Sequence, residues 1–225
     1  MAGQVNRLGI VGTGVMGAGI AQIAAQAGLE VALFDKRDGA ARAARDGLQV
    51  TFDKLVSKGK LSRESAEEAL AHLSVVESMT ALADCDLVIE AIVEDLGIKQ
   101  ALFSELEAIV ARDCILVTNT SSLSVTAIGA DLACPDRLAG FHFFNPVPVM
   151  KLLEIVRGLS TDDETVARAR AFAEKIGLAQ YAVGTMEEMT AMEEHLAKLA
   201  FSAAPGAVHD AKELVDDVFG QEINH

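Results

Sequence analysis

The chain has 225 residues, of which 51% are hydrophobic, which is enough for the core of one large domain or slightly more. Its 33 acidic residues outnumber its 19 basic ones, and the net charge of −14 disfavours nucleic acids and anionic membranes as partners. The sequence has no apolar run of membrane-spanning length and no signal-peptide pattern at its amino terminus, so we expect a cytoplasmic protein.

Apolar runs alternate with helical patterns along the first two thirds of the chain. The predicted strands are the short apolar runs 8–11, 31–34, 86–92, 115–118 and 138–143. The predicted helices carry apolar residues at helical spacing and cover 15–28, 39–58, 62–72 and 96–111. Strands that alternate with helices predict an α/β fold with a doubly wound, mostly parallel, Rossmann-type sheet.

The composition changes near Gly177, where the chain becomes acidic and rich in methionine. Two helices are predicted there, over 187–202 and 207–218. Apolar residues at helical spacing in the first of them indicate a packing stripe rather than a cofactor site. We therefore predict a nucleotide-binding domain over residues 1–184 and a short helical C-terminal segment over 185–225.

The cysteines give no sign of a metal site. Cys85, Cys114 and Cys134 are odd in number and widely spaced, which fits neither a metal-binding motif nor a disulfide framework. We expect no bound metal, and we interpret the three thiols as buried or idle.

A glycine-rich turn follows the first predicted strand and opens the first helix. The segment 12–17 is Gly-Thr-Gly-Val-Met-Gly. Gly12 permits a tight turn, Gly14 lets the backbone approach a pyrophosphate, and Gly17 allows the helix to pack closely on the strand. The helix amino terminus adds N–H donors for an anion. This arrangement predicts a dinucleotide site.

An acidic residue ends the second predicted strand. Asp35 lies at about the 20-residue spacing at which such an acid accepts hydrogen bonds from the ribose hydroxyls. A carboxylate there also repels a 2′-phosphate, which favours NAD over NADP. The adjacent cations Lys36 and Arg37 leave binding of NADP open.

Three further strand ends carry side chains suited to chemistry. They are the segments 90–94 and 119–124 and the residue His142. Ligands gather at the carboxyl ends of strands in open α/β sheets, so these segments are expected to converge. Ser121 would donate to a substrate oxygen, and His142 would move a proton, because imidazole titrates near neutral pH. Glu154, beyond a Pro-Val-Pro turn, would pair with His142. A purely structural histidine is the alternative.

These motifs resemble those of the 3-hydroxyacyl-CoA dehydrogenase family, including its 3-hydroxybutyryl-CoA members. The matching text is GTGVMGAGIAQ at 12–22, EAIVE at 90–94, NTSSLS at 119–124 and FHFFNPVPVMKLLE at 141–154. The likeness covers roughly residues 5–176. It implies transfer of a hydride between NAD and C3 of an (S)-3-hydroxyacyl-CoA, in fatty-acid β-oxidation or butanoate-type metabolism, and it suggests a homodimer.

The resemblance also implies roles for single residues. His142 takes the hydroxyl proton, Glu154 orients His142, and Ser121 bonds the substrate oxygen. Thr51 and Lys58 match positions that meet the CoA moiety, although Lys58 is equally well explained as an ordinary exposed helix lysine. The positions implied for the cofactor are Gly12, Gly14, Val15, Met16, Gly17, Asp35, Ala91, Glu94, Lys99, Asn119 and Asn145.

The C-terminal region departs from the family pattern. Family members continue through a Pro-Gly-Phe-x-Val-Asn-Arg segment into a helical domain that closes the substrate cleft and supplies an asparagine. Here the segment 187–193 contains no asparagine, and the region 176–215 resembles the C-terminal helices of crotonase-type enoyl-CoA hydratases without their catalytic glutamates. Two interpretations stay open: an active dehydrogenase, or a crippled or chimeric module that binds NAD and CoA. A dehydrogenase of small hydroxy acids is disfavoured by the match at 141–154.

Overall fold

The computed structural model describes residues 5–183 of the chain and the side chains of residues 5–180. The two helices predicted over 187–202 and 207–218, and the domain boundary predicted at 184, lie outside the described residues. Within residues 5–183, no helix has the length and apolar character that crossing a membrane requires.

Residues 5–183 form one sheet of eight strands, which are β1 (Arg7–Val11), β2 (Glu30–Phe34), β3 (Leu73–Val75), β4 (Leu87–Glu90), β5 (Ile115–Thr118), β6 (Leu138–Phe143), β7 (Leu152–Arg157) and β8 (Ala179–Val183). Across the sheet they lie in the order β3-β2-β1-β4-β5-β6-β7-β8. All neighbouring strands pair in parallel except β6 and β7, which are antiparallel. The first six strands have the order found in doubly wound dinucleotide-binding sheets, which confirms the predicted fold class.

The helices connect the strands and begin at side-chain caps where the sequence provides them. They are α1 (Val15–Gln26), α2 (Ala40–Ser57), α3 (Arg63–Ala71), α4 (Leu96–Ile109), α5 (Val125–Ile128) and α6 (Asp163–Lys175). Asp95 caps α4 by accepting from the N–H of Ile98 at 2.9 Å, and Asp162 caps α6 by accepting from Thr165 at 2.7 Å. The left-handed conformation of Gly28, with φ of 79°, follows α1 and marks its end.

Hydrophobic residues cover both faces of the sheet, as alternation along buried strands requires. Along β1, Ile10 belongs to the core packed against α1, α2, α3 and α6, whereas the next residue, Val11, belongs to the core packed against α4 and α5. Burial on both faces explains why the strand sequences are almost continuously apolar. Polar side chains such as Glu90 and His142 stand at or near the carboxyl ends of β4 and β6.

The five predicted strands and four predicted helices are present, with ends that differ by a few residues. The predicted strand 86–92 stops at Glu90 because the chain leaves the sheet at Ala91 to pass Gly12. The elements β3, β7, β8, α5 and α6 were not predicted. The segment Ala179–Val183, at the start of the region that resembles crotonase-type proteins, forms strand β8 and pairs in parallel with β7. The helices predicted after it lie outside the described residues, so that resemblance stays a prediction.

Candidate active site

The glycine turn between β1 and α1 contains glycines of two kinds. Gly12 has a φ of 95°, and an added Cβ would lie 2.5 Å from the carbonyl oxygen of Ala91. A Cβ on Gly17 would lie 1.9 Å from the carbonyl oxygen of Gly12. These two glycines are required by packing within the chain itself.

Gly14 is different, because a Cβ added there meets no heavy atom of the described residues within 4 Å, and its φ of −67° is open to any residue. The chain's own packing therefore does not demand a glycine at this position. A ligand that approaches the backbone here does demand it, and the adjacent amino terminus of α1, which begins at Val15 and Met16, offers donors to an anion. This open position fits a pyrophosphate.

Asp35 follows β2 and faces the same turn. Its Oδ2 accepts from the backbone N–H and the hydroxyl of Thr13 at 2.8 and 2.9 Å, and the Arg37 guanidinium donates to both carboxylate oxygens at 3.0 and 2.9 Å. The hydrogen bond from Arg37 holds the pKa of Asp35 well below its usual range; partial burial opposes this effect, and Thr13 reinforces it. The group is thus an anionic acceptor suited to ribose hydroxyls, which would share it with Arg37.

The pairing of β6 with β7 brings His142 and Glu154 together. They are directly opposite residues in the antiparallel register, and Nδ1 of His142 lies 2.5 Å from Oε2 of Glu154. The side chains are 29% and 17% exposed, and the imidazole ring packs on Phe144 at 4.6 Å between centroids. An ionised Glu154 accepts a hydrogen bond from a protonated Nδ1. In the neutral ring Nε2 then carries the lone pair and can accept a proton.

Ser121 lies in the exposed loop after β5 and is tied to Glu94, which follows β4. Its backbone N–H donates to Oε1 of Glu94 at 3.3 Å, Ser122 Oγ donates to the same atom at 3.3 Å, and the Thr120 hydroxyl donates to it as well. Burial raises the pKa of Glu94, but the bond from Thr120 and the charge of Lys99 outweigh it, so that the pKa is lowered. A carboxylate that remains ionised therefore anchors the loop that presents Ser121.

The remaining cofactor positions lie at the same ends of β4, β5 and β6. Asn119 joins two of them, since its Oδ1 accepts from the N–H of Phe143 at 3.4 Å. Ala91 adjoins Gly12, and Asn145 is exposed beyond β6, next to a cis peptide bond with Pro146. Lys99 is the exception, because its side chain is completely buried and reaches this edge only through Glu94 and Asn119.

The two residues predicted to bind the CoA moiety lie apart from these strand ends, on α2. Thr51 and Lys58 are seven positions apart and so share one face of the helix. The Thr51 hydroxyl donates to the carbonyl oxygen of Gly47 at 2.9 Å, and Lys58 is exposed at the helix end. Their role stays a prediction, because their contacts do not reach His142 or Ser121.

Sequence reasoning missed several residues that hold the site in place. Thr13 fixes Asp35, while Glu90 and Thr118 form a buried network with Lys99. A sequence signal existed for one of them, because Glu90 closes an otherwise apolar buried strand, where an ionised group needs a partner. The described residues contain no group of three or more His, Cys, Asp or Glu that could hold a metal ion.

The chain is similar to known proteins over most of its length. The sequence model of the family described as "3-hydroxyacyl-CoA dehydrogenase, NAD binding domain" matches residues 7–186. The match extends beyond residue 176, where the resemblance was predicted to end, because it includes β8.

Named relatives are similar to the chain over part of their own length. A 3-hydroxyadipyl-CoA dehydrogenase of Escherichia coli is 47% identical over 162 residues, which are 72% of this chain and 34% of that protein. A 3-hydroxybutyryl-CoA dehydrogenase of Mycobacterium tuberculosis is 40% identical over 177 residues, or 78% of this chain and 62% of that protein. The chain thus spans between a third and two thirds of the length of these relatives.

Solved structures give the same result. The crystal structure of the (S)-3-hydroxybutyryl-CoA dehydrogenase from Ralstonia eutropha superposes with a TM-score of 0.78 at 38% identity, covering 80% of this chain and 64% of that one. A 3-hydroxybutyryl-CoA dehydrogenase from Escherichia coli superposes with a TM-score of 0.78 at 43% identity, covering 80% of this chain and 38% of that one.

Proposed function

Because the chain belongs to the 3-hydroxyacyl-CoA dehydrogenase family, we propose that it serves the reversible oxidation of an (S)-3-hydroxyacyl-CoA to the 3-oxoacyl-CoA with NAD. The observation that carries the proposal is the 2.5 Å contact of His142 with Glu154, at the same sheet edge as the Ser121 loop. An imidazole with one nitrogen held by a carboxylate is suited to general acid–base catalysis.

The proton transfer is assigned to the chain's own residues. His142 accepts the C3 hydroxyl proton on its free ring nitrogen, and the Glu154 carboxylate stabilises the positive charge that forms on the ring. Ser121 donates a hydrogen bond to the same substrate oxygen and keeps it near His142. NAD, when bound, supplies the acceptor for the hydride that leaves C3. In the reverse direction His142 returns the proton to the carbonyl oxygen.

The glycine turn and Asp35 are proposed to bind the cofactor. The pyrophosphate passes over Gly14 and the amino end of α1, and the adenosine ribose binds the Asp35 carboxylate. Two observations support this assignment: the unfilled space beside Gly14 and the ionised state of Asp35. Glu94, Asn119 and Asn145 are proposed to border the reactive end of the cofactor, and Thr51 and Lys58 to contact CoA.

A second candidate is a module that binds NAD and CoA without turnover. It is favoured by the segment 187–193, which contains no asparagine where the family pattern places one. The test is oxidation of NADH with acetoacetyl-CoA, run beside His142→Ala. Turnover that disappears in the variant supports the dehydrogenase, and NADH binding without turnover supports the second candidate. Failure to bind NADH refutes both.

The same proposal includes the setting in which the chain works. It acts on acyl-CoA substrates as a cytoplasmic homodimer, and nucleic acids and membranes are not its partners. The net charge of −14 supports the exclusion of nucleic acids and anionic membranes. The buried free thiols Cys85 and Cys114 support the cytoplasmic location, since free thiols are usual in reducing compartments. Light scattering of the purified protein tests the homodimer, and cell fractionation tests the cytoplasmic location.

A further inference from the structure

Two charged side chains are buried in the sheet beneath the proposed site. Glu90 at the end of β4 and Lys99 in α4 are both 0% exposed. Removal of two charges from water is costly, and an apolar pair of the same volume often gives equal or better stability. Stability alone therefore does not explain why the chain buries this pair.

The Glu90 carboxylate joins three elements. Its Oε1 accepts from the backbone N–H of Ile92 at 2.7 Å, and its Oε2 accepts from the hydroxyl of Thr118 at 2.7 Å. The ammonium of Lys99 donates to both oxygens, at 2.6 and 2.7 Å. The end of β4, the end of β5 and the first turns of α4 are thus fixed to one carboxylate.

Lys99 continues this network toward the surface. Its Nζ lies 3.4 Å from Oε2 of Glu94 and donates to the carbonyl oxygen of Asn119 at 3.3 Å. The other oxygen of Glu94 accepts from Thr120, Ser121 and Ser122. A continuous series of polar contacts therefore runs from the buried Glu90 to the exposed loop that presents Ser121.

We propose that Glu90 is a positioning residue, which holds the Lys99 ammonium where it fixes Glu94 and thereby the loop 119–122. This inference rests on the proposed function for the importance of the loop, but the order of the loop itself is measurable without substrate or cofactor. Lys99 is completely buried, and within the described residues it reaches the loop through Glu94 and Asn119. If Glu90 is neutral, Lys99 keeps Glu94 as its single carboxylate partner among the described residues and draws it away from the loop.

The test separates positioning from stability by removing both charges. The variant Glu90→Gln/Lys99→Met removes the buried ion pair and leaves Glu94, which is partly exposed and still accepts from Thr120, Ser121 and Ser122, so it should melt close to the wild-type temperature. Amide hydrogen exchange of residues 119–124 in the cofactor-free protein should nevertheless accelerate, and NADH affinity and kcat should fall roughly tenfold or more, a usual cost of losing a group that orients a site residue. Wild-type exchange and affinity in this variant would overturn the inference.

A matched control removes a buried charge at the other end of the sheet. Arg137 precedes β6, is 5% exposed, and contacts Glu107 at 3.8 Å and the carbonyl oxygen of Cys114 at 3.4 Å. The variant Arg137→Met should lower the melting temperature without changing exchange at 119–124 or NADH affinity. Equal changes at 119–124 in both variants would show a merely structural effect and overturn the inference.

A smaller substitution tests the positioning role of Glu90 if the double variant does not fold. Thr118→Val has nearly the same shape and loses one hydrogen bond to Glu90. It should accelerate exchange at 119–124 by roughly 2-fold to 13-fold, the range expected for one hydrogen bond; unchanged exchange would overturn the inference. Wild-type protein that binds NADH but does not turn over acetoacetyl-CoA would refute the proposed function alone, since the exchange measurement needs neither ligand.

Discussion

The exchange of Gly14 for alanine separates cofactor binding from folding more sharply than any other single change in the glycine turn. The added methyl group meets no described atom within 4 Å, and a φ of −67° suits alanine. The free energy of unfolding should therefore stay within about 1 kcal/mol of the wild type, because alanine restricts the unfolded chain but is a poorer N-cap for α1 than glycine. The substitution should therefore leave the fold intact.

The same substitution should weaken the binding of NADH strongly. The methyl group would occupy the space in which the pyrophosphate is proposed to approach the backbone, and overpacking of this kind costs about 1–3 kcal/mol. That cost corresponds to an affinity roughly 5-fold to 150-fold weaker. The assay is a titration of NADH fluorescence, with urea denaturation of the same samples to measure the free energy of unfolding.

Two control variants bracket the result. Gly17→Ala places a Cβ 1.9 Å from the Gly12 carbonyl oxygen, so it should destabilise the fold by about 1–3 kcal/mol or more. Gly47→Ala, on the exposed side of α2, also meets no described atom within 4 Å and should leave NADH affinity unchanged. If Gly14→Ala binds NADH as tightly as the wild type and Gly47→Ala, the pyrophosphate does not pass over the amino end of α1.

Further predictions concern the acid–base pair and the ribose acceptor. Glu154→Gln should lower kcat on the order of a hundredfold, because the His142 tautomer and charge lose their carboxylate partner, while NADH affinity stays unchanged in titration; equal kcat would refute the pairing. Asp35→Asn should weaken NADH binding, whereas Asp46→Asn on exposed α2 should not. Because the pKa of Asp35 is lowered in the folded state, its stabilising contribution is present above about pH 4 and is lost as the pH falls further. The difference in unfolding free energy between the wild type and Asp35→Asn should therefore shrink below about pH 4 in urea titrations, and a constant difference would contradict the assignment.

Local sequence signals were sufficient to predict most of the central strands and the helices between them. The strands β1, β2, β4, β5 and β6 are buried on both faces, so their apolar runs are visible without a structure. The elements that escaped prediction are short, such as Leu73–Val75, or lie beyond the antiparallel turn, such as Leu152–Arg157, where burial alternates and the apolar run is broken. Their place in the sheet depends on neighbours distant in the chain.

The sequence by itself determined the kind of site, because the glycine spacing, an acid after the second strand and a histidine near the end of the sixth strand can be recognised locally. The tertiary structure decided how these groups are held. Only the β6–β7 register places Glu154 opposite His142, and only the packing of α4 makes Lys99 the buried partner of Glu90. A buried charge needs partners from remote segments, and which segments supply them is fixed when the sheet assembles.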